Sequence, residues 1–290
     1  MNSERVIVVC ADDFGQSEGV NEAVLEGVQA GWLSAVSCLS TGPVWEKDAV
    51  RLQSQAAGRA ELGLHFNLTE RFNAEDECYG LRALILRAYG RQLPVHALRA
   101  TFARQLKAFE DTLGCAPDFV DGHQHVHQLP VVRDVVIEAL AKRYGAKRPW
   151  LRDSAPPRQS SHSPLPAPAR GKRAVLAALG AGGLRRLATQ RGFVQNQGLL
   201  GVYGFDADET GYLSHLQAWL GEAGDRSLLM CHPGLGDMPG DAIAAARRCE
   251  YAVLRGQGFA KALQNHHLRV GRLAVAPASQ QPGHNAAFAN

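Results

Sequence analysis

No apolar run in the 290-residue chain approaches the eighteen or so residues that a membrane-spanning helix needs. Net charge is also scarce. The formal value is +3, too small to point to nucleic acid or to an acidic membrane surface as a partner. Cysteines number six, at positions 10, 38, 78, 115, 231 and 249, and none forms a C-x-x-C pair. Cys10, Cys38 and Cys231 lie inside apolar runs and read as buried free thiols rather than a disulfide framework. The first strand is entered at about Arg5, leaving no room for a signal peptide. Together these features give the expectation of a cytoplasmic protein. There is no internal repeat, and no dinucleotide fingerprint, because Gly180, Gly182 and Gly183 follow no strand.

What the chain does have is Val6-Ile7-Val8-Val9-Cys10-Ala11 running into Asp12-Asp13-Phe14-Gly15. A continuous apolar run reads as a strand buried on both faces. Two carboxylates at its C-terminal end need a partner, a metal or a proton on leaving water. The plain alternative is a helix cap, for which one Asp suffices.

Strand and helix patterns then alternate. Helices are expected over 22–31, 44–57, 98–113, 130–144, 172–191, 210–222 and most of 239–264. Strands are expected at 35–40, 61–67, 118–121, 149–152, 199–205, 227–231 and 268–274. Residues 70–97 and 153–170 read as long loops, and the tail from 276 as disordered. Alternation of this kind predicts an α/β fold, a (β/α) barrel-like sheet, incomplete at seven parallel strands and covered by outer helices. Residues 1–275 are read as one domain.

The strand ends share a composition. Strand one ends in Asp12 and Asp13, strand three in His65, strand four in His123-Gln124-His125-Val126-His127, and strand seven in His232. In a parallel sheet all of these project from one rim, where ligands of such folds bind. Imidazoles with a carboxylate make a ligand set for a catalytic divalent ion with an open position. The second carboxylate is then available as general base and a further His as general acid. His65 alone could be a hydrogen-bonded core residue, the triple-His segment a polar loop, and His232 a turn residue. Arg152, at a strand end, could hold a substrate oxygen or the general-base carboxylate; a surface salt bridge is the plain reading. His96, His162, His215, His266, His267 and His284 read as surface.

Four motifs, Ala11-Asp12-Asp13-Phe14-Gly15 with Asn21, Gly63-Leu64-His65-Phe66-Asn67-Leu68-Thr69, Asp121-Gly122-His123-Gln124-His125-Val126-His127 and Cys231-His232-Pro233-Gly234, resemble those of the YdjC-like carbohydrate deacetylases. This family includes chito-oligosaccharide and hopanoid-associated deacetylases. The resemblance runs in register from about residue 5 to 270. It implies a barrel-like fold and removal of acetyl from an N-acetylated sugar or oligosaccharide, free or lipid-linked. It further implies a divalent ion held by Asp13, His65 and His123, with Asp12 as general base and His232 as general acid. His127 would be a fourth ligand or stand behind the ligands, and His125 is the weakest of the three. Family members imply magnesium, whereas two imidazoles suit zinc better. Segments 70–97 and 153–170 follow no family pattern, so the particular sugar does not carry over. The residues alone also admit hydrolysis of a phosphoester or another amide, or a non-catalytic sugar-binding protein. Outer helices of a barrel often supply the face of a homodimer.

Overall fold

The computed structural model describes residues 4–157, 164–236 and 239–273. Eight strands form one all-parallel sheet: β1 (Arg5–Phe14), β2 (Ala35–Cys38), β3 (Glu61–Phe66), β4 (Phe119–Gly122), β5 (Trp150–Leu151), β6 (Leu199–Leu200), β7 (Ser227–Cys231) and β8 (Leu268–Val270). The strand order is β5-β4-β3-β2-β1-β7-β6, and β8 pairs with the first residues of β1. The sheet curls into the expected incomplete barrel. Its edges β5 and β6 share no ladder. They meet through a bridge from Leu151 to Gln195 and a hydrogen bond from the Leu199 N–H to the Ala155 carbonyl.

Helices α1 (Glu18–Ala30), α2 (Trp45–Ala56), α3 (Leu81–Tyr89), α4 (Val95–Leu113), α5 (Val132–Tyr144), α6 (Ala167–Leu176), α7 (Gly182–Gln190), α8 (Glu209–Glu222), α9 (Ala244–Leu254) and α10 (Gln257–Asn265) cover the outside. The strand period of two divides the core in two. Ile7, Val9 and Ala11 of β1 pack outward in the layer under the helices. Val8 and Cys10 point inward with Ala35, Phe119, Trp150, Leu228 and Met230. The inward phase, carried two residues onward, reaches Asp12, Ser37, Asp121, Arg152 and His232; His65 on β3 has the phase of Gly63, whose missing side chain leaves room for Phe119.

The barrel is plugged by a stack of Phe119 on Trp150, centroids 4.3 Å apart. A Cβ on Gly63 would come within 2.3–2.4 Å of the Phe119 ring. Gly63→Ala is therefore expected to lower stability by roughly 1–3 kcal/mol, the usual cost of overpacking. Urea unfolding checks it: an unchanged midpoint would mean that the stack moves aside freely.

Several expectations are corrected. Segment 70–97 holds α3 and the start of α4 (at Val95 rather than Leu98). α3 buries only Leu84 and Ala88, one i,i+4 pair, too little for a period to stand out. The helix expected over 172–191 starts at Ala167, inside the expected 153–170 loop, and breaks at Ala177–Ala181. There Gly180 takes φ +120 and a Cβ would lie 2.4 Å from the Gln128 carbonyl. α1 begins at Glu18 because Ser17 caps it, its hydroxyl accepting from the Val20 N–H. β6 is two residues instead of seven: Gly201 has φ +92 and lies hard against the Met230 carbonyl. The 239–264 stretch is two helices, α9 and α10, and β8 ends at Val270. His215 is partly buried, stacked on Trp219 with centroids 5.5 Å apart. His162, His284 and the tail lie outside the described residues.

Candidate metal centre and active site

Asp12 and Asp13 are neighbours in sequence but face different partners. Asp12 keeps the inward phase of β1. A regular strand would turn Asp13 out toward the helices. Instead Asp13 takes φ +70, and the β1–β2 register shifts between Ala11 and Phe14. A left-handed backbone at a non-glycine residue is strained and tends to occur at functional sites. Here it brings both carboxylates to the same rim.

Asp13 Oδ1 lies 3.3 Å from His65 Nε2 and 2.9 Å from His123 Nδ1. One ligand atom from each of the three residues falls within 4.8 Å of the others. His65 Nδ1–H donates to Asp121 at 2.7 Å, and the Ser37 hydroxyl donates to the same oxygen at 2.5 Å. This anchors Nδ1 to Asp121 and turns Nε2 to Asp13, the carboxylate–histidine arrangement that orients metal ligands. The far oxygen of Asp13 accepts from Arg247 Nη2 at 2.8 Å. Such a donor set fits a divalent ion with open positions.

Electrostatics agree with that fit. Burial opposes ionisation of Asp13, but Arg247 and His123 outweigh it and hold the carboxyl well below its usual range. Burial disfavours a charged His65, yet Asp121 and Asp12 raise its pKa to about 10. His123 is likewise raised, by Asp13 against burial.

Asp12 is clamped. Arg152 Nη1 and Nη2 each donate to one of its oxygens at 2.6 Å, and Nη2 also meets Asp121 at 2.5 Å. Burial raises the Asp12 pKa, but the guanidinium outweighs it and keeps the carboxylate ionised. Arg152 is 0% exposed, so it is neither a surface salt bridge nor placed to touch substrate. Of the two roles read for it, holding the Asp12 carboxylate is the one its geometry allows.

The His123–Gln128 turn carries left-handed residues at Gln124 and His125. His127 does not join the cluster. It is buried, and its Nε2–H donates to the Arg152 carbonyl at 3.0 Å, so it props the arginine's backbone. Burial lowers its pKa to about 4. His125 lines the cavity beside Ser154 and is kept neutral by burial and by Arg152.

A cavity of about 760 Å³ opens over these groups. Asp12, Asp13, His65, His123 and His232 form its polar floor, and Leu81, Ile85, Val175 and Leu179 give it apolar walls. His232 packs edge-on against Phe205, centroids 5.1 Å apart. Ser37, Arg247 and Glu250 were not singled out from the sequence. Asp121 stands in one of the four motifs without a role assigned to it, although it lies at a strand end in the inward phase two residues before His123. The arginine and the glutamate lie on α9, far along the chain and without a local motif.

The fold and the floor of the cavity define a parallel (β/α)-barrel protein with an imidazole–carboxylate cluster of metal-binding type at the C-terminal rim. The chain belongs to the YdjC-like protein family, whose model matches residues 6–265. It is 36% identical over 157 residues to carbohydrate deacetylase of Mus musculus, an alignment covering 49% of this chain and 48% of that protein. The chain thus spans about half the length of the first curated relatives it matches. Chitooligosaccharide deacetylase of Klebsiella pneumoniae is 28% identical over 286 residues, 92% of this chain and 98% of that one. Among solved structures, an Enterococcus faecalis protein named for cellobiose-phosphate cleavage superposes with TM-score 0.67 at 18% identity, covering 93% and 98% of the two chains. The Bc1960 peptidoglycan N-acetylglucosamine deacetylase superposes with TM-score 0.50 at 11% identity, covering 94% and 87%. At those identities the likeness is one of fold. No helix among the described residues is long and apolar enough to cross a membrane.

Proposed function

We propose that this chain is a divalent-metal-dependent hydrolase that removes the acetyl group from an N-acetylated amino sugar. The observation that carries the reading is the convergence of Asp13, His65 and His123 on the floor of a cavity that also exposes Asp12 and His232. Family membership and the names of its relatives support the same reaction.

Asp13 Oδ1, His65 Nε2 and a ring nitrogen of His123 would hold the ion. When bound, it supplies Lewis-acid polarisation of the acyl oxygen and lowers the pKa of water. The protein does the rest. Asp12, kept ionised by Arg152, takes a proton from the attacking water. His232, protonated on the cavity side, delivers one to the departing amine. The products are acetate and a free amino sugar. Two imidazoles and one carboxylate suit zinc, while the family resemblance implies magnesium, so both belong in the assay.

The test is acetate release from N-acetylglucosamine oligomers, with and without EDTA, with either metal restored. Chelator-sensitive release is expected. His65→Ala is expected to lose both bound metal, read by elemental analysis, and activity. Release that persists in EDTA, or a full metal complement in His65→Ala, would overturn the assignment.

A further inference from the structure

Glu250 lies on α9 and is 1% exposed, a carboxylate with no access to bulk water. Its surroundings are unusual for a structural acid: among the described contacts it holds no arginine or lysine. Its Oε2 accepts the backbone N–H of His232 at 2.6 Å and the Tyr212 hydroxyl at 3.3 Å. Its Oε1 accepts the Tyr203 hydroxyl at 2.8 Å and lies 4.0 Å from His232 Nδ1. That ring nitrogen is itself buried and has no hydrogen-bond partner among the described residues.

A buried imidazole nitrogen left without a partner is costly. So is a buried carboxylate whose neighbours are all neutral donors. The two deficits stand 4.0 Å apart, beyond a hydrogen bond but within a small rotation of the ring about its side-chain torsions. The His232 backbone is already pinned to the same carboxylate, so the ring cannot drift away from it. Hydrogen bonds of this kind are commonly loose in a resting site and tighten with substrate bound.

The geometry points to Glu250 as a positioning residue for His232: its carboxylate takes the Nδ1–H, fixes the tautomer and orientation of the ring, and leaves Nε2 as the atom that exchanges protons over the cavity. The inference rests on His232 as general acid in the reaction proposed above. It adds a second role for α9. Arg247, one turn before Glu250, holds Asp13, so one helix face steadies both the ligand carboxylate and the acid.

The experiment uses the full-length, metal-loaded protein labelled with ¹⁵N-histidine, the His232 resonances being identified by their loss in His232→Asn. Wild type is expected to show a proton on Nδ1 of His232. In Glu250→Gln, which keeps the shape of the side chain but not its charge, the His232 nitrogen shifts are expected to change. Turnover of N-acetylglucosamine oligomers should fall about 10–100-fold, the range seen for partners that orient metal-ligating imidazoles, with KM within about twofold and metal content unchanged. Should Glu250→Gln fail to fold, the wild-type spectrum decides alone: a bare Nδ1 overturns the proposal. Unchanged His232 shifts in a folded Glu250→Gln also overturn it. If the spectra behave as expected but wild type releases no acetate, the coupling of Glu250 to His232 stands and the deacetylase reading fails.

Discussion

Asp12→Asn is expected to reduce acetate release by about 10²–10⁴-fold, the range that a positioned general base contributes. The amide is nearly isosteric with the carboxylate, so the Asp13, His65 and His123 cluster should keep its metal. One oxygen remains to accept from Arg152, and Asp121 still balances the guanidinium's charge. The loss should therefore appear in kcat, with metal content and thermal unfolding close to wild type. Near wild-type turnover in a metal-loaded Asp12→Asn would mean that another group takes the proton from water. Loss of metal in this variant would mean that Asp12 belongs with the ligands.

Arg152→Met is expected to be the most damaging single change to stability. The guanidinium is wholly buried and answers two carboxylates, Asp12 and Asp121. Removing one member of a buried ionic group leaves uncompensated charge and costs about 3–5 kcal/mol. The sign of the pH dependence follows. In wild type the Asp12 carboxyl is held well below its ordinary value, so its contribution is complete above the unfolded-state value and is lost only as pH falls through the lowered one. Without the arginine, burial dominates at Asp12 and pushes its carboxyl up. The variant is then least stable at neutral pH and recovers part of the deficit as pH falls toward 5. Urea midpoints at pH 7 and pH 5 check this: an equal deficit at both values would show that the loss comes from packing rather than from charge. Arg152→Lys should fall between the two, since an ammonium keeps the charge but cannot fork to Asp12.

The legible part of the molecule was the part written locally. The apolar run ending in Asp12 and Asp13, and the histidines at the ends of β3, β4 and β7, placed a rim on a parallel sheet because period-two alternation and strand polarity are properties of short stretches. What stayed hidden depends on distant partners. For Arg152 the sequence leaves a substrate contact, a hold on the general-base carboxylate and a surface salt bridge all open, until β5 puts it inside the barrel, where Asp12, 140 positions away, receives it. Arg247 and Glu250 sit in a helix rich in alanine and arginine, and only its docking turns them inward. The left-handed backbone at Asp13 has no signature in sequence, since aspartate elsewhere gives no cue of it. α3 escaped notice for the opposite reason: its buried face is one pair of side chains, below what a periodicity can register.

The Arg247–Asp13 contact joins residues 234 positions apart. During synthesis, Asp13, His65 and His123 have all left the ribosome while α9 is still to be made. Contacts of such long range are the last to be rewarded in folding, because the loop they close must be ordered first. A nascent or truncated chain ending before α9 would carry every candidate ligand and the proposed general base, yet lack the Arg247 donor to Asp13 Oδ2 and the Glu250 acceptor of the His232 N–H. On the proposed reading, activity is expected only once that late helix has docked, which would make catalytic competence a report on the placement of α9.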